Sequence, residues 1–261
     1  MKEMINAAFS YGFDFIKNIY LLPWYLKTRN QFIKQNKNAA SKHSFDSITW
    51  YPVLGDKNAC AGTVSTYLLQ DLWAAQKISS YPHPYNQLGH YDIGSRVDGF
   101  IAYLLSFRGN INLIDIRPLP YSIDDTRLCF IKSDATLLTE NENESVYSLS
   151  ALCSLEHFGL GRYGDPIDAS ACFKAFDSIQ RVMQKNGHIY ISVLVGKPQV
   201  AFNAHRIFDP FIIKECFDKC ELIEFSVITR EDPDVPIIVN ADMDVYSQVN
   251  SVMGLFEFRK L

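Results

Sequence analysis

The apolar positions change period along the chain. From Gly62 to Ile78 they fall at helical spacing, with Val64, Tyr67, Leu68, Leu72, Trp73 and Ala75 on one side, which predicts a buried helix. Tyr81-Pro82-His83-Pro84 then marks a loop. Beyond it, short apolar runs alternate with helical stretches. Strands are predicted over 89–93 (GHYDI), 111–115 (INLID), 128–132 (LCFIK), 147–153 (YSLSALC) and 188–194 (HIYISVL). Helices are predicted over 98–107 and 168–185, the second stopping at Asn186-Gly187, residues suited to a left-handed helix end. Strands alternating with helices imply a parallel sheet covered on both faces. A short helix over 210–218, a strand over 221–228, a long acidic loop (Glu231, Asp232, Asp234, Asp242, Asp244) and a terminal strand over 252–258 complete the pattern.

The first 60 residues read differently. Residues 1–42 predict helix broken at Pro23, with Phe9, Phe13, Phe15, Ile16, Tyr20, Leu21, Trp24 and Tyr25 forming a broad apolar surface. Seven basic residues (Lys2, Lys17, Lys27, Arg29, Lys34, Lys37, Lys42) against Glu3 and Asp14 give residues 1–43 a net charge of +5, which leaves −9 for the rest of a chain whose total is −4. Two readings stand: a helix covering the body or a second subunit, or one lying at the headgroups of an anionic leaflet. The arm cannot span a bilayer, because Asp14, Lys17, Asn18 and Pro23 interrupt its most apolar stretch. The expected division is therefore a helical extension, 1–60, and a second domain, 61–261.

Composition narrows the class. A length of 261 residues, 48% hydrophobic and 21% charged, describes a globular chain with a sizeable core. The negative total argues against nucleic acid as a partner. Six scattered cysteines (Cys60, Cys129, Cys153, Cys172, Cys216, Cys220) and no visible secretory signal suggest reduced, mostly buried thiols in a cytoplasmic protein. No zinc-finger spacing, H-E-x-x-H, P-loop or G-x-S-x-G occurs, so no metal is expected.

The candidate chemistry sits where predicted strands end. The first strand runs into Asp92-Ile93-Gly94-Ser95-Arg96, the second ends at Asp115-Ile116, and the third is followed by Asp134-Ala135. Asp115 lies 21 residues beyond Gly94, near the interval at which a carboxylate meets a ribose hydroxyl. Three acids at successive strand ends suit a nucleoside laid across them, although each could instead cap a turn. Arg96 occupies the place where a dehydrogenase needs glycine for a pyrophosphate. A phosphate-free adenosyl group such as S-adenosylmethionine fits better, its amino-acid end meeting Asp92 and Arg96. After the fourth strand, Glu156-His157 precede Gly159, Gly161 and Gly164. His157 is the first candidate for a general base, with Glu156 orienting it or binding the donor, and a structural helix-start histidine is the competing reading. His205 is the second candidate. Arg162 and Arg206 would fork a carboxylate or phosphate on the acceptor, or pair with Asp165, Asp168 or Asp209 as scaffold. Tyr163 and Asn203 complete the acceptor candidates.

These residues carry a resemblance. YLLQDLWAAQKI (67–78), HYDIGSRVDGFIAYL (90–104), LIDIRPLP (113–120), SALCSLEHFGLGRYGDPID (150–168) and VGKPQVAFNAHRIF (195–208) resemble the bacterial and nematode family catalogued as domain of unknown function 268, over roughly Thr66–Val227. Its members look like class I S-adenosylmethionine-dependent methyltransferases. The resemblance implies a Rossmann-like, seven-stranded, mostly parallel sheet with helices on both faces, its last strand inserted antiparallel, and the helical extension in front. It also implies donor contacts at Asp92, Gly94, Asp115 and Asp134. Bacterial members look like products of surface-polysaccharide gene clusters, which implies O-methylation of a sugar, nucleotide-sugar or glycan. The alternative is a non-methylating Rossmann-like protein of polysaccharide assembly, at the inner face of the membrane through its arm. The general methyltransferase turn reads D-x-G-x-G-x-G, and this chain departs from it with Arg96 and Asp98 at the second and third glycines.

Overall fold

A computed structural model describes residues 18–39, 43–59, 62, 64–81, 89–107, 109–121, 123–229 and 234–261. The expectations for Phe9 to Ile16, Lys42, Cys60, Pro82 to Pro84, Glu231 and Asp232 lie outside the described residues. The chain divides into two units at the 63/64 boundary.

In the first unit a 3-10 turn, Ile19–Leu21, leads into helix α1, Leu22–Asn38. Pro23 stands in the first turn of α1 instead of breaking it. Its missing N–H costs nothing there, because first-turn amides have no intrahelical partner. Residues 43–51 are tied back along the helix. Asn36 both donates to the Phe45 carbonyl and accepts its N–H, Arg29 donates to the Ile48 carbonyl at 3.0 Å, and the Tyr51 N–H reaches the Tyr25 hydroxyl at 3.1 Å. Among the described residues, no helix is long and apolar enough to cross a membrane.

The second unit opens with α2, Thr66–Ser80, started by the Ser65 hydroxyl, which accepts the Leu68 N–H. An eight-stranded sheet follows. Its strands are β1 (His90–Ile93), β2 (Ile111–Asp115), β3 (Leu128–Lys132), β4 (Val146–Leu152), β5 (Met183–Val195), β8 (Cys220–Ile228), β9 (Ile237–Ile238) and β10 (Val252–Lys260). Gln199–Ala201 and His205–Ile207 form a separate hairpin, β6 and β7, which the sequence pattern had not resolved. The sheet order is β3-β2-β1-β4-β5-β10-β8-β9. The first five strands are parallel, and β10 lies antiparallel between β5 and β8, as expected. The eighth strand is the two-residue β9 on the outer edge of β8, one more than expected.

Each sheet face is closed by helices. On one, Trp73, Ala74 and Ile78 of α2 and Phe100, Ile101 and Leu104 of α3 (Gly99–Phe107) pack with Ile111, Leu113, Leu152 and Leu255. On the other, Phe176, Ile179 and Val182 of α4 (Ala171–Val182) and Ile213 of α5 (Pro210–Cys216) pack with Leu149, Ile191, Val227 and Phe256. A one-turn helix α6 (Met243–Tyr246) precedes β10.

Helix α4 ends at Val182, four residues before Asn186-Gly187, and the chain passes straight into β5. Asn186 does take the left-handed conformation (φ 63°), but inside a bulge where β5 runs from Met183 to His188 while β4 advances only from Val146 to Ser148. Among the described cysteines all are free, yet only Cys172 is buried, and Cys129 on the outer strand β3 is exposed. That corrects the expectation of mostly buried thiols.

Phe176 is wholly buried, with rings from Phe173, Phe208 and Phe217 around it. Phe176→Ala is expected to cost about 3–5 kcal/mol in urea unfolding. Phe202→Ala, at a position 72% exposed, is expected to cost less than about 0.5 kcal/mol.

Candidate functional site

All five parallel strands point their carboxyl ends the same way, and there the loops enclose a cavity of about 750 Å³. One side is made by the turns after β1, β2 and β3. Gly94, Ser95 and Arg96, then Asp115 and Ile116, then Asp134 and Ala135 all line it. Gly94 adopts φ 73°, and a Cβ there would meet the Ser154 side chain at 2.8 Å, so glycine keeps the loops after β1 and β4 in close approach. The Asp98 carboxylate accepts the Phe100 N–H at the start of α3. It thus acts as a helix cap where the general turn would have glycine.

Asp92 falls outside the cavity lining and is 1% exposed. The hydroxyls of Ser150 and Ser95 donate to its Oδ1 at 2.5 and 3.0 Å, and Ser150 in turn bonds the Nε2 of buried His90 at 2.8 Å. These bonds tie Asp92 to the loop that carries Gly94, its Oδ2 has no hydrogen-bond partner among the described residues, and burial raises its carboxyl to about 6.

The opposite side comes from the segment after β4 and from β7. Glu156, His157, Arg162, Tyr163 and His205 all reach the cavity. The loop is organised by Asp165, whose carboxylate accepts the N–H groups of Gly159 (2.8 Å), Gly161 (3.2 Å) and Tyr163 (3.1 Å). Gly159 has φ 75°, and a Cβ there would overlap the Asp168 carbonyl at 1.9 Å. His157 Nδ1–H donates to the Ala204 carbonyl at 2.6 Å, which leaves Nε2 with the lone pair. Burial lowers the His157 pKa, and the Ala204 bond opposes that shift in part. Arg162 donates to the same carbonyl at 3.1 Å.

The carbonyl of Ala204, and not Glu156, orients His157, since the nearest Glu156 oxygen is 3.8 Å from Nε2. Glu156 is 2% exposed, and burial raises its carboxyl to about 8. Its Oε2 and the Ser154 hydroxyl, both on cavity-lining residues, have no hydrogen-bond partner among the described residues. Buried polar atoms without partners mark a place where a ligand can supply them.

Two acceptor candidates fall outside the cavity lining. Arg206 is 6% exposed and spends its guanidinium on the carbonyls of Phe158 (2.5 Å) and Ala169 (3.3 Å), where it holds the loop to β7. Asn203 is the left-handed residue (φ 61°) of the β6–β7 turn and is solvent-exposed. The sequence reading also missed residues that the structure brings in. Tyr67, Gln70 and Asp71 of α2 line the cavity, as does Arg117. Their signal was three polar-tipped residues at i, i+3 and i+4 on a helix otherwise read as buried. Burial raises the Asp71 carboxyl to about 6. Among the described residues no three His, Cys, Asp or Glu side chains gather as a metal site.

The model of the family described as Caenorhabditis protein of unknown function, DUF268, matches residues 128–240, from β3 through the cavity loops to β9. No curated protein matches the chain. Many solved structures resemble it, two of them as follows. The [4+2]-cyclase SpnF does so with TM-score 0.50 and 14% identity over 74% of this chain and 80% of that one. Geranyl diphosphate C-methyltransferase from Streptomyces coelicolor A3(2), crystallised with Mg2+, geranyl diphosphate and S-adenosyl-L-homocysteine, does so with TM-score 0.51 and 9% identity over 74% and 78%. At these identities the likeness shows the fold alone, a Rossmann-like α/β fold that these structures share.

Glu156 supplies a stability test. Its folded pKa of about 8 lies above its ordinary 4.5, so the folded state holds the proton more tightly. The stabilisation is complete below about 4.5 and is lost as pH rises through about 8. Melting curves from pH 5 to 9 are expected to show the wild type losing more stability than Glu156→Gln. Parallel profiles would contradict the buried, protonated carboxyl.

Proposed function

We propose that this protein is an S-adenosylmethionine-dependent methyltransferase that methylates a hydroxyl of a sugar, nucleotide-sugar or surface glycan. The observation that carries the donor half is the convergence of Gly94, Asp115, Ile116, Asp134 and Ala135 on one cavity at the carboxyl ends of β1, β2 and β3. In this fold that edge is where a nucleoside rests. Asp115 offers a carboxylate for ribose hydroxyls, and Ile116, 37% exposed, an apolar surface for the base. The partnerless Ser154 hydroxyl and Glu156 Oε2 give the amino-acid end polar neighbours. The neighbour from Streptomyces coelicolor holds S-adenosyl-L-homocysteine, which supports the same donor here. The sugar acceptor rests on the family resemblance.

When bound, the donor supplies a methyl group on a positively charged sulfur. What the chain must add is a place for the acceptor proton. His157 Nε2 carries a lone pair, and its neutral state is favoured by burial and by the cations of Arg162 and Arg117. As the hydroxyl oxygen becomes an ether, its proton passes to Nε2. The imidazolium then donates from Nδ1 to the Ala204 carbonyl more strongly than the neutral ring did. Tyr163 packs edge-on against His157 at a centroid distance of 5.7 Å. Glu156, protonated below about pH 8, adds no negative charge that would hold His157 in its protonated, non-basic form.

Calorimetry is expected to show micromolar binding of S-adenosyl-L-homocysteine, and its absence with folded protein would contradict the donor site. His157→Ala is expected to keep that affinity within about threefold while methyl transfer to sugar or nucleotide-sugar acceptors falls by about 10²–10⁴. The wild-type rate should rise with pH through a His157 pKa below the ordinary histidine value. Retained turnover in His157→Ala would move the base to His205.

A further inference from the structure

Arg117 stands between the two halves of the cavity. Three of its donors close on the carboxylate of Asp115: the backbone N–H at 2.7 Å and Nε at 2.9 Å both reach Oδ1, and Nη2 reaches Oδ2 at 2.6 Å. A carboxylate offers about four lone-pair positions. Both on Oδ1 are taken and one remains on Oδ2. A vicinal diol gripped by one carboxylate places a hydroxyl on each oxygen, so the full grip and the guanidinium cannot share Asp115.

The guanidinium has a second seat already at hand. Its carbon lies 4.3 Å from the centre of the Tyr163 ring, a stacking distance for arginine. Tyr163 belongs to the Asp165-organised loop and sits edge-on to His157. The Arg117 side chain keeps 40% of its surface exposed, so it has room to swing, whereas Asp115 keeps 14%.

We propose that Arg117 is a latch: it occupies the diol-binding carboxylate of Asp115 until a ribose displaces it, and it then moves wholly onto Tyr163 and the acceptor loop. The inference rests on the donor reading above. It makes Arg117 a positioning residue that reports donor arrival to the loop holding His157, so that the donor binds before the acceptor. It also places a freed cation beside the acceptor only when the donor is present.

The test compares wild type with Arg117→Met, which removes the competitor but keeps the length and the backbone N–H. The probes are S-adenosyl-L-homocysteine, adenosine and 2′,3′-dideoxyadenosine, measured by calorimetry. The latch predicts that Arg117→Met binds the two diol-bearing probes about 3–10-fold more tightly and leaves the dideoxy probe unchanged. Arg117→Lys, which keeps the charge but loses the fork, is expected to fall between them. Hydrogen exchange supplies a second readout: S-adenosyl-L-homocysteine should slow exchange across residues 159–164 in the wild type and not in Arg117→Met. Unchanged or weaker diol binding by a folded Arg117→Met protein overturns the latch while the donor reading stands. Failure of every variant to bind either diol-bearing probe overturns the donor reading, and the latch falls with it.

Discussion

Parallel pairing of β1 with β2 on one side and β4 on the other is the constraint from which the site follows. Parallel neighbours send every connecting loop out of the same edge, so residues far apart in the chain, Gly94, Asp115, Asp134 and Glu156, must meet there. The apolar layers on both faces hold the strands in register, and a slip of one residue would turn Asp92 or Asp115 to the opposite face. The buried chain His90–Ser150–Asp92–Ser95 extends this control into the loop after β1. It fixes Gly94 with protein hydrogen bonds and leaves the cavity to other side chains.

The second determinant is the cost of burying charge. Glu156, Asp71 and Asp92 all lie where burial favours the protonated carboxyl. His157 lies where burial favours the neutral ring. The same low-dielectric environment thus separates a proton holder from a proton acceptor within one loop. Asp115, by contrast, keeps a cation as its partner, which is what gives Arg117 its place at the junction of the two half-sites.

Most strands were legible because each is a short apolar run between turn residues: 111–115 and 128–132 match to the residue, the other predicted strands lie within five positions, and the short β6, β7 and β9 were not read. The acids at the strand ends were legible for the same reason, since position in the strand fixes position at the sheet edge. What the sequence hid depended on partners. Pro23 reads as a helix breaker until the start of α1 is known. Asn186-Gly187 reads as a helix stop, yet a left-handed residue serves a bulge equally well. Arg206 and Arg162 are equivalent on paper, but one is consumed by loop carbonyls while the other lines the cavity. Asp92 and Asp115 both end strands, and only side-chain burial distinguishes the anchor from the wall.

The central claim is that the edge above β1, β2 and β3 receives an adenosyl group opposite His157. Crystallography of the protein with S-adenosyl-L-homocysteine tests it most directly. The account predicts ribose hydroxyls on Asp115, the base against Ile116, and sulfur facing His157 Nε2 across the cavity. A ligand bound elsewhere, or a cavity closed by the protein's own side chains while ligand saturates the solution, would contradict it.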